Sequence, residues 1–347
     1  MKIDFLQIGF QKCGSTFMER NVYAYNEDIE CLQAVNVLDL EREFLNSIIL
    51  SDQLEFDENL ARLNIYNIIN SKFNFKNING IMFEPLTFLY QRRFDRKNVI
   101  DRLKLLFPDA KIIHFIRRQD EWLISHYSEY IKGGGLLSLH DFIECQLNNK
   151  LLDSHYIDWH PLVSQLHKTF GEKNVLICLF EEIKTSPNDT ANKIFNFLGA
   201  KTSKINSAKV NPSLTPLGLA LHRVINHLIR YDCGTSHYGF SRDLNGAKPN
   251  IFSRLRHKFI YSCHKPILYR TLYKFDRLLN FKGKLKLEPD HIRKINDRYG
   301  ENNKKLSELL KIDLESFGYP TINENSNDTE TMSPTNPAAP QSSPNLD

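Results

Sequence analysis

Gly9-Phe10-Gln11-Lys12-Cys13-Gly14-Ser15-Thr16 lies between the apolar run Asp4–Gly9 and the stretch Ser15–Tyr25. The run reads as a buried strand and the stretch as the helix that follows it. A glycine-bounded turn at that junction aims several backbone N–H groups and the positive helix end at one point, which makes an anion cradle. The spacing is that of the phosphate loop G-x-x-x-x-G-K-[ST], with one departure. Ser15 stands where the lysine of nucleotidases belongs, and Lys12 is inside the loop instead. An ordinary glycine turn with a solvated lysine is the bland alternative.

Outward from this loop, short apolar strands alternate with helices. Gly80–Phe83, Lys111–Ile116 and Val175–Phe180 read as strands. Asn98–Leu106, Gln119–Lys132 and Pro187–Leu198 have helical spacing; Gly133-Gly134-Gly135 and Gly199 act as stop signals for the last two. This alternation predicts an α/β fold whose central parallel sheet is covered on both faces, with the strand order left open. Past about residue 215 the chain reads as mainly helical, interrupted by the polar stretch Asp232–Asn250. Ser326–Asp347 has no Lys or Arg and is rich in Ser, Pro, Asn and Thr, so residues 324–347 are expected to be a disordered tail and 1–323 one domain.

At 347 residues the chain can bury one sizeable core. A net charge of +4, from 45 Lys and Arg against 41 Asp and Glu, does not suggest a nucleic-acid binder. The six cysteines are scattered and form no C-x-x-C pair, so neither a cysteine zinc site nor a disulfide framework is indicated. No run approaches the length of a membrane span or a secretory leader, and a cytoplasmic location is the simplest expectation. Charge is nonetheless uneven. Between Ile251 and Lys286 ten Lys and Arg face one acid, Asp276, with Phe and Tyr residues interleaved. Such a segment can grip an acidic glycan, a nucleic-acid strand or an anionic membrane surface, or it can be a helical subdomain with basic residues towards water.

Two segments carry chemistry besides the loop. Arg117 follows the strand Lys111–Ile116 directly, and Ser125 comes eight positions later on the next helix. A guanidinium fork with a hydroxyl suits a phosphate dianion. Met82-Phe83-Glu84-Pro85 ends another strand, where active-site groups of open α/β sheets collect. Glu84 is a candidate general base; His114 and His126 are its rivals, although His114 sits in an apolar strand.

Taken together, these residues resemble the PAPS-dependent sulfotransferase family, of the bacterial or glycan type (PAPS is 3′-phosphoadenosine 5′-phosphosulfate). The family's loop reads roughly G-x-x-K-x-G-[ST]-[ST], and its 3′-phosphate motif is an arginine after a strand with a serine eight positions on. The proline that often follows that arginine by two is replaced by Gln119, and Pro85 stands where many relatives carry lysine after the acid. Phe180-Glu181-Glu182-Ile183 with Ile194–Gly199, and Tyr299–Leu306 with Gly318-Tyr319-Pro320, resemble two later family segments. The resemblance implies a P-loop-type three-layer fold with a central parallel sheet flanked by helices and a helical C-terminal part. It implies PAPS as donor, bound by Lys12, Cys13, Gly14, Ser15, Thr16 and Phe17 at the loop and by Arg117 and Ser125 at the 3′-phosphate. Lys12 and Glu84 would be catalytic, Phe180 would lie near the adenine, and no metal is expected. The implied acceptor is a hydroxyl or amine, on a glycan or glycolipid, and Lys132 with its following glycines and Asn211-Pro212-Ser213 would edge its cleft. Two rivals stay open: a P-loop kinase or nucleotidase, and a catalytically inactive protein that binds 3′-phosphoadenosine nucleotides.

Overall fold

The computed structural model describes residues 2–84, 95–148, 154–206, 214–229, 274 and 283–321. Pro85, Asn211-Pro212-Ser213, the stretch Asp232–Asn250, most of the basic segment 251–286 and the tail lie outside these residues.

Five strands form one parallel sheet: β1 (Phe5–Gly9), β2 (Ile29–Gln33), β3 (Ile78–Phe83), β4 (Lys111–Ile116) and β5 (Val175–Leu179). Their order is β2-β3-β1-β4-β5. Every residue of β1 is buried, as are five of the six in β3 and in β4. Because successive side chains point to opposite faces, burial at every position means that both faces are covered. This is the P-loop-type three-layer arrangement expected from the sequence. The one polar side chain inside β1, Gln7, is satisfied there: it accepts from the Tyr23 hydroxyl at 2.6 Å and donates to the Met82 sulfur at 3.1 Å.

The strand order decides where a site can form. From β1 the chain winds to the β2 edge, returns through β3, then crosses β1 to reach β4 and β5. Winding therefore reverses at β1, and the crevice outside the carboxyl ends at such a reversal is where open α/β sheets take ligands. Since all the strands are parallel, β1, β3, β4 and β5 deliver the loop from Gly9, Glu84, Arg117 and Phe180 to the same edge.

The helices are α1 (Ser15–Phe17), α2 (Leu38–Glu43), α3 (Glu58–Lys72), α4 (Arg96–Leu106), α5 (Gln119–Lys132), α6 (Leu139–Leu147), α7 (Trp159–Phe170), α8 (Phe180–Thr185), α9 (Pro187–Leu198), α10 (Pro216–Ile229) and α11 (Pro289–Leu310). The expected helix over Ser15–Tyr25 is helical throughout but not uniform: α1 widens into a π-turn at Met18–Val22 and tightens at Tyr23–Tyr25. Side-chain caps start three others. Asp57, Asp95 and Ser138 accept from the first-turn N–H groups of α3, α4 and α6. No helix among the described residues is long and apolar enough to cross a membrane.

The C-terminal helix is locked onto the start of α5 through Gln119, the residue at the family's proline position. Its amide donates to Asn303 Oδ1 at 2.9 Å and to the Ile157 carbonyl at 3.3 Å. Asn303 in turn donates to the Pro320 carbonyl at 2.8 Å. A proline at this position could make none of these bonds, so Gln119 has a structural use here.

β1 and β3 meet at a glycine. Gly80 lies opposite Phe5 in the register, and a Cβ at Gly80 would stand 2.1 Å from the Phe5 ring. Gly80→Ala should therefore destabilise the protein by about 1–3 kcal/mol, the usual cost of overpacking a filled core. Chemical denaturation measures this directly; an unchanged midpoint would contradict the packing of β1 on β3.

Candidate functional site

The loop after β1 is fastened by its carbonyls. The Trp122 indole N–H donates to the Gln11 carbonyl at 2.9 Å, and Arg117 Nη1 donates to the Lys12 carbonyl at 2.9 Å. Trp159 holds Arg117 in turn, donating to its carbonyl at 2.8 Å. Phe10 packs edge-on against both indoles, its ring centroid 6.1 Å from Trp122 and 4.9 Å from Trp159. With these carbonyls committed, what the turn can still offer a ligand is N–H: the first N–H groups of a helix have no partner within it.

The backbone is strained to achieve this. Lys12 has φ 70°, one of two positive-φ non-glycine residues in the described chain, a conformation that costs of order 1–3 kcal/mol. Gly14 has φ 103°, and a Cβ there would meet Ile183 Cδ1 at 2.7 Å. Only glycine fits that position. Ser15, Thr16 and Phe17 then begin α1, and Thr16 and Phe17 are half-buried. Cys13 points into the core; burial pushes its thiol well above the ordinary range. Its side chain is thus committed to packing, and only its N–H can serve a ligand.

Glu84, at the end of β3, accepts a hydrogen bond from the Ser15 hydroxyl. Burial raises its carboxyl above the usual carboxylate range, against the opposing pull of Ser15 and Lys12. The structure thus brings together a loop hydroxyl and an acid shifted in the direction a general base needs. The rival histidines are both wholly buried. His126 is wholly buried, its ring stacked 4.5 Å from Trp122, and burial lowers it to about 3. His114 is also wholly buried, donates from Nδ1 to the Ile8 carbonyl at 3.0 Å, and is lowered by burial to about 4.

Each cation of the site is held by an acid from α5. Lys12 Nζ is 2.7 Å from Glu129, which also takes Lys132 at 2.9 Å. Burial would raise Glu129, but the two lysines outweigh it and keep the carboxyl below its ordinary value. Arg117 Nη2 is 2.9 Å from Glu121, and Lys184 reaches the same oxygen at 3.1 Å. Burial opposes ionisation of Glu121 too, yet Lys184 and Arg117 bring it down to about 2. The Arg117 guanidinium lies 4.4 Å from the Phe180 ring centroid, a cation–π contact.

Ser125 completes the pattern by helix geometry. It stands four residues from Glu121 and four from Glu129, so the three share one stripe of α5. The two acids on that stripe touch Arg117 and Lys12, and the half-buried Ser125 lies between them. Arg118 is used differently: it pairs with Asp120 at 2.5 Å and lies against Gly318 of the C-terminal segment. That segment also touches the site through Tyr319, whose hydroxyl donates to buried Glu181 at 3.1 Å.

Sequence reasoning named Lys12, Ser15, Glu84, Arg117, Ser125 and Phe180 but missed Glu121, Glu129 and the two clamping tryptophans. A signal for the acids was present in their four-residue spacing about Ser125. Nothing local marks the tryptophans as more than core residues.

Residues 89–204 match the sulfotransferase family. Among solved structures, the chain is similar to a sulfotransferase from Alicyclobacillus acidocaldarius at 18% identity, covering 67% of this chain and 98% of that one, with a TM-score of 0.45. The mouse sulfotransferase SULT7A1 complexed with PAP is 16% identical over 79% of this chain and 89% of its own, at a TM-score of 0.34. A sulfotransferase domain from the curacin biosynthetic pathway is 10% identical over 90% and 99%, also at 0.34. No curated protein matches the sequence. Similarity at these scores is too slight to bear on the fold, which rests on strand order and on the residues at the sheet edge.

Proposed function

We propose that this protein transfers a sulfuryl group from PAPS to a hydroxyl, or an amine, of a glycan or glycolipid acceptor and releases 3′,5′-ADP. The observation that carries the reading is the convergence of Lys12, Ser15, Glu84 and Arg117 at the carboxyl edge of one parallel sheet. In the proposed reaction the acceptor oxygen attacks sulfur in line, a new S–O bond forms, and the S–O bond to the 5′-phosphate breaks. Glu84 takes the acceptor proton. Lys12 leaves Glu129 and offsets the charge that grows on the departing phosphate, together with the N–H groups of Cys13, Gly14, Ser15 and Thr16. Arg117 and Ser125 hold the 3′-phosphate, and the Phe180 ring supports the adenine. This chemistry uses no metal at the loop. Residues 1–323 form the catalytic domain in this reading, in the cytoplasm, and the basic segment 251–286 holds the acidic or lipid-linked acceptor.

Lys12→Ala should lower kcat by at least about 100-fold, the scale of losing one key charge stabiliser. The assay follows 3′,5′-ADP release from PAPS over a panel of glycan and glycolipid acceptors; near-normal turnover would remove Lys12 from the mechanism.

Glu84 gives a prediction with two readouts. As a base it must be ionised, so wild-type activity should fall on the acid side at a pH above the ordinary glutamate range. Its folded-state pKa is raised, so stability is greatest with the carboxyl protonated and is lost as pH rises through the raised value. Glu84→Gln should therefore cost about 10²–10⁴-fold in kcat. It should also melt no lower than wild type at neutral pH, with the two curves converging as pH falls. A variant that keeps its activity would remove Glu84 as the base.

A further inference from the structure

Away from the sheet edge, α6 and α11 face each other with a second cluster of titratable groups between them. His140 and Glu144 stand four residues apart on α6, which puts them on one face. His291 enters from the first turn of α11. One ligand atom from each of the three lies within 4.8 Å of the others. His291 Nε2 is 3.4 Å from Glu144 Oε1, and His140 Nδ1 is 3.2 Å from Glu288 Oε2.

His291 is the telling member. It is 1% exposed, and neither of its ring nitrogens has a hydrogen-bond partner among the described residues. A neutral imidazole always has one bare lone pair, and burying it unused is costly. Here the ring nitrogen confronts a carboxylate oxygen, itself an acceptor, at a distance without hydrogen-bond geometry. A cation placed between this ring nitrogen and the carboxylate oxygen would take a lone pair from each. Ligands about 2.0–2.2 Å from tetrahedral zinc stand roughly 3.4 Å from one another. The His291–Glu144 separation already matches that edge, and His140 needs to close by little more than an ångström.

We propose that His140, Glu144 and His291 form a binding site for a divalent cation of the zinc class, joining α6 to α11. Imidazole nitrogen with one carboxylate oxygen is a donor set that suits zinc, with water as the fourth ligand. Glu288 is the outer carboxylate beside His140 that fixes a ligating ring's tautomer. Lys294 competes for the site, since its ammonium is 2.7 Å from Glu144 and 2.9 Å from Asp290. That contact holds the Glu144 carboxyl ionised, below its ordinary range. When the cation binds, Lys294 keeps Asp290 and releases Glu144.

The test is calorimetric titration of zinc chloride into the full chain, stripped beforehand with a chelator, with a melting curve at each end point. Wild type should bind one zinc ion per chain and melt higher with it. His140→Ala alters an exposed side chain and Glu144→Gln keeps the shape, so both should fold even if His291→Ala does not. Losing a ligand should weaken binding by at least the roughly 10–100-fold typical of losing an outer-shell partner. Absence of stoichiometric binding would overturn the site and leave plain ion pairs. Binding undiminished in both variants would place the zinc elsewhere and overturn it equally.

Discussion

Arg117 is the residue on which the candidate site depends. One guanidinium nitrogen fastens the Lys12 carbonyl and so shapes the loop; the other meets Glu121; the flat face lies on Phe180. Its own carbonyl is pinned by Trp159. A single side chain therefore links the ends of β1, β4 and β5 with the face of α5. The cost of burying such a charge is several kcal/mol unless it is paired and hydrogen-bonded; Glu121 pairs it, and its bond to the Lys12 carbonyl positions the loop.

The same constraint explains the acids. A sheet edge that gathers Lys12 and Arg117 concentrates positive charge, and that charge must be answered from within. Glu121 answers Arg117 and Glu129 answers Lys12, both from one stripe of α5 with Ser125 between them. In the proposed reaction an incoming anion would exchange with these carboxylates for Lys12 and Arg117. Lys132 and Lys184 are positioned to keep Glu129 and Glu121 company when that exchange occurs.

Much of this was legible in the sequence because it lies where short-range rules are strict. The strand–loop–helix around Gly9–Ser15 follows from an apolar run meeting a glycine-bounded turn, and β4 and α5 have the bounds expected from sequence. β2 was not visible, since Ile29-Glu30-Cys31-Leu32-Gln33 is a mixed sequence that pairs on one side only, with β3. Val175–Phe180 reads as a strand one residue longer than β5: Phe180 opens α8, and that turn brings its ring onto Arg117. The acids of α5 read as a solvated face until tertiary structure sets them against Lys12 and Arg117. The alignment of His291 with Glu144 is wholly tertiary, because nothing local links residues so far apart.

The most direct test is a thermal-shift comparison of 3′,5′-ADP with ATP plus Mg²⁺, on wild type, Arg117→Ala and Ser125→Ala. A ligand at about 100 times its Kd adds roughly 2.7 kcal/mol, a readily measured rise in midpoint. The account predicts that 3′,5′-ADP stabilises wild type without metal, that Ser125→Ala weakens the effect, and that Arg117→Ala abolishes it. Stabilisation by ATP with Mg²⁺ instead, or a 3′,5′-ADP shift that survives in Arg117→Ala, would contradict it.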